Sequence, residues 1–346
     1  PEKAAPDLTL DGLREVVSQV KKPAFPAPNS LPPVTEKHIL DNGITLIVRE
    51  NHRLPIVAMQ AVFLGGVRFE GKQNNGINNF IAEMLTKGTK KRSALQIAKE
   101  IEAMAGDISG FSGRNSFGAS CTVLSQFFEP GLEMLADVLI NPSFPKEEME
   151  KKRADILAAI ERQEDQPFSF TVNIFDDLFF QNHPYGMDTL GSEETVSKFT
   201  SEDLREYYFS LARSQNMVLT IVGDIDSKKT REKVETLFQG LSNIVLPDYP
   251  VVQREPHLTT IRKKEVFKGK RAQAHVMLGF PGVDVKNFDK CSIKVLNTIL
   301  AGQGGRLFSE LRDKQSLAYV VTSFAWEGID PGYIAFYIGC TPSKLS

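Results

Sequence analysis

One order of elements is written twice along this chain. In the first half an apolar strand, "PIVAMQAVFLGG" at residues 55–66, leads to a helical stretch over about 77–87. A second helix opens at Ser93, and a further strand follows at 117–125, "FGASCTVLS". The second half repeats it: a strand at 272–282 ("AQAHVMLGFPG"), helices at 288–302 and 304–316, then strands at 317–328 and 332–342. Strands mixed with paired helices, without steady strand–helix–strand alternation, predict an α+β fold with sheets covered by helices on one face. A length of 346 residues suits two such units. The expectation is two similar mixed-sheet-plus-helices units, the second truncated, since it lacks the later helices of the first.

The flanking segments suggest the divisions. Residues 9–20 carry Leu13, Val16, Val17 and Val20 on one helical side. Five prolines follow within residues 21–33, which excludes a helix or a central strand and predicts an extended linker. Residues 1–36 are thus read as an N-terminal helix and Pro-rich linker, 37–247 as the first unit and 248–346 as the second. Within the first unit, Asn42-Gly43 between apolar runs predicts a hairpin. Ser93 and Gly106 predict the start and close of one helix, and Glu147 and Glu148 open a long helix after Pro145. The start at Pro1 and the stop at "CTPSKLS" lead to the expectation of a longer polypeptide.

Composition removes several functions. A net charge of −2 gives no bulk attraction for nucleic acid or an anionic membrane. No apolar run approaches the roughly 18 residues of a membrane span. Cys121, Cys291 and Cys340 are too far apart for a paired metal motif and are read as buried free thiols.

The helix "GINNFIAEMLTKGT", residues 76–89, invites a metal. Side chains four residues apart share a helix face, so positions 79 and 83 could grip one ion, with position 82 beside it to hold a base. By periodicity alone the segment is a packing helix with Ile77, Phe80, Ile81 and Leu85 inward. None of His38, His52, His183, His257 and His275 has a partner at ligand spacing, and His183 in "HPYG" is read as ordering a loop. Glu161, Glu164 and Asp165 read as a solvated helix face. "GQGG" at 302–305 lacks the Gly-Lys-Ser/Thr of a phosphate loop and reads as a turn.

Four stretches, in order, carry a resemblance: "DNGITLIVRE" at 41–50, "NNGINNFIAEMLTKGT" at 74–89, the run from "HPYG" at 183 to "GDID" at 226, and "GGRLFSELRDKQSLAYVV" at 304–321. Together they resemble peptidase family M16, the zinc peptidases that include pitrilysin, insulin-degrading enzyme and the mitochondrial processing peptidase. The family's inverted His-x-x-Glu-His motif falls on Asn79, Ala82 and Glu83, and its downstream glutamate ligand on Ala159. One carboxylate does not make a zinc site, which takes three or four ligands. Arg312 and Tyr319 match an Arg/Tyr pair that the resemblance places near the scissile bond, contributed from a domain other than the zinc-bearing one. Residue by residue, they also read as a surface helix charge and a core strand residue.

The resemblance implies a non-catalytic half of a zinc metalloendopeptidase. It implies no cofactor in this chain and zinc in the catalytic partner half. The partners implied are an upstream catalytic half or active subunit and a peptide substrate, with no nucleic acid and no membrane span. The alternative is a proteolytically inactive assembly subunit, like the family's relatives among respiratory-complex core proteins. A third reading, an active peptidase with displaced ligands, predicts stoichiometric zinc in the purified protein.

Overall fold

The computed structural model describes residues 34–241, 243, 252, 255–256, 258–269 and 272–345. The expected helix at 9–20, the Pro-rich stretch, most of the boundary near 245–257 and His257 lie outside them. The Asn42-Gly43 turn joins β1 (Thr35–Ile39) to β2 (Thr45–Glu50) as expected, with Gly43 at φ 92°. With β3 (Ile56–Leu64), β4 (Asp107–Ser112), β5 (Ser116–Leu124) and β6 (Met217–Gly223) they form a six-stranded sheet ordered β1-β2-β6-β3-β5-β4. The β2–β6 pair is parallel and the other pairs are antiparallel.

Alternation along the strands decides what covers this sheet. In β3, Val57, Met59, Ala61 and Phe63 are buried while Ala58 and Gln60 face solvent. Among the described residues one face therefore meets the core and the other stays open, as antiparallel sheets allow. The core face receives α1 (Ile77–Met84) and α3 (Phe128–Ile140). In α1, Ile77, Phe80, Ile81 and Met84 make the inward stripe. Next come α2 (Ala94–Ala103) and α4 (Lys146–Asp165), the latter packed against α1. Ser93 caps α2 in a reciprocal box with Gln96, as expected. The left-handed residue that closes α2 is Ala105, at φ 48°; Gly106 follows it, where a side chain would strike the Thr122 carbonyl.

Three elements carry weak sequence signals. The strand β4, "DISGFS", is polar and interrupted by Gly110, yet it needs that glycine: a Cβ there would collide with the Ala82 carbonyl of α1. The helix α5 (Pro167–Phe179) starts on a proline, harmless at the first helical position, where the N–H has no partner within the helix. Beyond α6 (Ser201–Leu211), α7 (Ser227–Leu237) is almost all polar, with Thr230 and Val234 its buried residues.

The second sheet holds β7 (Ala274–Pro281), β8 (Val320–Trp326) and β9 (Tyr333–Cys340) in the order β7-β9-β8. This repeats β3-β5-β4 of the first sheet, so the element order repeated in the sequence is a repeat of pairing as well. Between β7 and β8 lie α8 (Lys290–Leu300) and, in place of the expected second α-helix, a π-helix over Phe308–Lys314. Cys121 and Cys340 are buried, and burial pushes the Cys121 thiol up to about 12. Cys291 on α8 is exposed, against expectation, because α8 buries none of its residues.

The two units meet through an aromatic cluster. Phe175, Phe179, Phe180 and Tyr185 pack against Tyr333 and Ala335, with Trp326 alongside. Arg114 lies 4.5 Å from the Trp326 ring and pairs with buried Asp176. Beside the cluster, Asp330 accepts from Arg68 Nε at 2.6 Å and from His183 Nε2 at 3.2 Å. His183 Nδ1 accepts the Tyr185 N–H at 3.1 Å and so caps the "PYG" turn, the ordering role read from the sequence. With Nδ1 committed as an acceptor, this imidazole has no free nitrogen for a second proton. Burial pulls it below ordinary histidine, against the opposing pull of Asp330.

Above the ordinary value of about 6.5, folded and unfolded chains both hold His183 neutral. As pH falls below it, the unfolded chain takes a proton that the folded chain resists, so stability is lost, with a slope approaching about 1.4 kcal/mol per pH unit at most. In urea titrations between pH 7 and 5, His183→Asn should show a shallower fall than the native protein; an equal slope would exclude His183 as the source.

Candidate functional site

Helix α1 is held at its start by a carboxylate from outside it. Its N-cap is Gly76, in the left-handed region at φ 92°, which has no side chain to cap with. Glu70 does that work. Its Oε2 accepts from Gly76 N at 2.8 Å and Asn75 Nδ2 at 2.9 Å; its Oε1 accepts from Asn78 N at 3.0 Å and Asn78 Nδ2 at 2.9 Å. The carboxylate thus sits at the positive end of the helix. Burial lifts its pKa above the ordinary range, and the four donors pull against that rise. In the sequence, Glu70 carries one local signal, a carboxylate shortly before a helix whose N-cap is glycine.

One turn further, α1 presents the three motif positions. Asn79 is half-buried, Ala82 is buried beside Gly110 of β4, and Glu83 is exposed. Ala159 is half-buried on α4, the helix that packs against α1. The structure therefore brings together the two helices that carry all four positions. Between them stands a residue that no motif marks. Lys152 of α4 places Nζ 3.2 Å from Glu83 Oε2 and 3.2 Å from Asp155 Oδ2. Partial burial works against its charge, but hydrogen bonds to Glu83 and Asp155 outweigh this and raise its pKa above ordinary lysine. Lys152 lies seven residues before Ala159, two helical turns, so both point to the same side. That spacing was its available signal.

These residues do not fit zinc. Asn79 offers a neutral amide, Ala82 and Ala159 offer methyl groups, and the lone carboxylate, Glu83, already neutralises an ammonium. Among the described residues no group of three or more His, Cys, Asp and Glu side chains stands where it could hold a metal ion. Glu164 reaches Lys268 at 3.5 Å, and Glu161, Glu164 and Asp165 are all exposed.

Arg312 and Tyr319 belong to the second unit. Arg312 projects from the π-helix into solvent, its guanidinium 4.6 Å from the Phe308 ring centre. Tyr319 sits just before β8 and is 58% exposed, which removes it from the core, while its backbone N–H donates to the Gly339 carbonyl at 2.8 Å. Among the described residues no hydrogen bond, ion pair or ring contact joins either one to α1 or α4.

Two sequence models of one family match this chain in tandem. Residues 46–193 match "Insulinase (Peptidase family M16)" and residues 198–346 match "Peptidase M16 inactive domain". The chain belongs to peptidase family M16. The matched stretches meet between 193 and 198, whereas the first sheet of this M16 chain runs on to Gly223. An uncharacterized zinc protease of Streptomyces coelicolor is 30% identical over 81% of the chain and 62% of its own length. One of Bacillus subtilis is 29% identical over 90% of the chain and 75% of its own length. The M16 chain thus spans less than two thirds of the first relative and three quarters of the second. A protease from Helicobacter pylori has the same fold, with a TM-score of 0.84 at 21% identity over 90% of this chain and 76% of that one. No helix among the described residues is long and apolar enough to cross a membrane.

Proposed function

We propose that this chain is the non-catalytic half of an M16-type zinc metalloendopeptidase. In this reading it forms part of a peptide-binding chamber and lends Arg312 and Tyr319 to a zinc site on a partner half. The observation that carries it is the ion pair Glu83–Lys152. The two helices that carry the four motif positions pack against each other, and a lysine of one pairs with the carboxylate of the other. The exposure of Arg312 and Tyr319 supports the second part, because side chains that contact a ligand from another half must be accessible.

The chamber wall has two supports. The open face of the first sheet is not covered by its helices. β4 ends that sheet with strand pairing on one side, and it runs beside α1. An extended peptide can add to such an edge through backbone hydrogen bonds. Across the chamber, the Tyr319 hydroxyl would donate to a peptide carbonyl as it gains negative charge, while the Arg312 guanidinium fixes neighbouring carbonyls.

The test is Tyr319→Phe in the enzyme assembled from both halves. Loss of a donor used in the transition state should lower kcat by roughly 100-fold and leave KM nearly unchanged. An unaltered kcat would remove the clamp role from Tyr319.

A further inference from the structure

Arg312 is a long side chain rich in rotamers, and fixing it in place for a ligand costs conformational entropy. On this surface it is already held. Phe308, one turn earlier on the same π-helix, lies under its guanidinium at 4.6 Å from the ring centre. The nearby Lys314 is held differently, by an ion pair with Glu310 at 2.7 Å. Arg312 has no carboxylate partner among the described residues.

The difference matters chemically. A carboxylate takes two of the five N–H donors of a guanidinium and neutralises it. An aromatic ring engages the flat face and leaves the donors around the edge free. The segment leading from Arg312 to Tyr319 is pinned as well. Ser316 turns it at φ 52°, in the left-handed region, with its N–H on the Arg312 carbonyl at 2.9 Å and its carbonyl accepting from Lys344 Nζ. Leu317 N returns to the Leu311 carbonyl at 2.8 Å. A non-glycine residue in that region is strained, and such strain persists only where the surroundings enforce it.

We propose that Phe308 is a positioning residue: it holds the Arg312 guanidinium by its face, so that its N–H edge is presented to the backbone carbonyls of an extended peptide. This rests on the clamp reading of Arg312, and the two are separable. Order at Arg312 is read by 15N relaxation of its Nε–H in the chain itself. The native protein should give an order parameter near the ~0.85 of rigid backbone, falling below about 0.6 in Phe308→Leu and recovering in Phe308→Trp. A low value in the native protein, or an unchanged one in Phe308→Leu, overturns the proposal.

Titration of the chain with a fluorescein-labelled, unstructured twelve-residue peptide reads the consequence. Phe308→Leu should weaken binding roughly threefold, with recovery in Phe308→Trp. If Arg312→Ala leaves affinity unchanged, or the native chain binds no peptide, the clamp reading fails and the relaxation result alone judges Phe308. If Arg312→Ala weakens binding and Phe308→Leu does not, the positioning role fails.

Discussion

Glu70→Ala should destabilise the protein by about 3–5 kcal/mol, a large effect for one substitution. Glu70 is 5% exposed and takes four hydrogen bonds from Asn75, Gly76 and Asn78. Removing it strands donors that water cannot easily reach, at about 1–3 kcal/mol for each group left unsatisfied. Asn75 Nδ2 keeps the Asp188 carbonyl at 2.8 Å, and Asn78 Nδ2 keeps the Gly66 carbonyl at 3.2 Å, so the loss is partial. The backbone N–H groups of Gly76 and Asn78 are the ones left bare. Glu70→Gln is the sharper comparison. It keeps the volume, but its amide nitrogen meets donors, so it should recover less than half of the loss. Urea denaturation followed by circular dichroism measures both variants. A change below about 1 kcal/mol in Glu70→Ala would mean that α1 is held by core packing alone.

Which parts of this molecule were legible depends on where the physics is local. The hairpin at Asn42-Gly43, the Ser93 cap and the inward stripe of α1 are each written within a few residues, and each is found. What escaped is decided at a distance. Gly110 makes β4 look like a loop in sequence, yet it is there because α1, nearly thirty residues earlier in the chain, passes against it. Glu70 looks like any loop acid until Asn75, Gly76 and Asn78 fold back on it. Cys291 has the composition of a buried thiol but sits on a helix with no buried residues.

The candidate site shows the same division. Helix spacing picked out positions 79, 82 and 83, the family resemblance added 159, and the α1–α4 packing brings their two helices together. No motif pointed to Lys152, because its importance is relational. A lysine on a helix is ordinary until its neighbour across the interface is the one carboxylate among the four motif positions.

Rebuilding the ligands should restore metal. The variant Asn79→His, Glu83→His, Ala159→Glu with Lys152→Gln is expected to retain about one zinc per chain after dialysis, measured by elemental analysis, where the native protein retains none. The packing stripe of α1, made by Ile77, Phe80, Ile81 and Met84, is untouched, and positions 79 and 83 are open enough to accept imidazoles. Lys152 must go because its Nζ stands within 3.2 Å of Glu83, where an ammonium repels a dication. Keeping it should weaken zinc by at least about tenfold, a modest allowance for two like charges at close range in a partly buried site. Ala82 is deliberately retained. It is 3% exposed, and a glutamate there would bury a carboxylate against β4, so metal binding is separated from catalysis. The rebuilt protein should therefore bind zinc and still cleave no peptide. If neither form binds zinc, α1 and α4 are not spaced as a metal centre, and the reading of Glu83–Lys152 as an ion pair occupying a lost metal site falls with it.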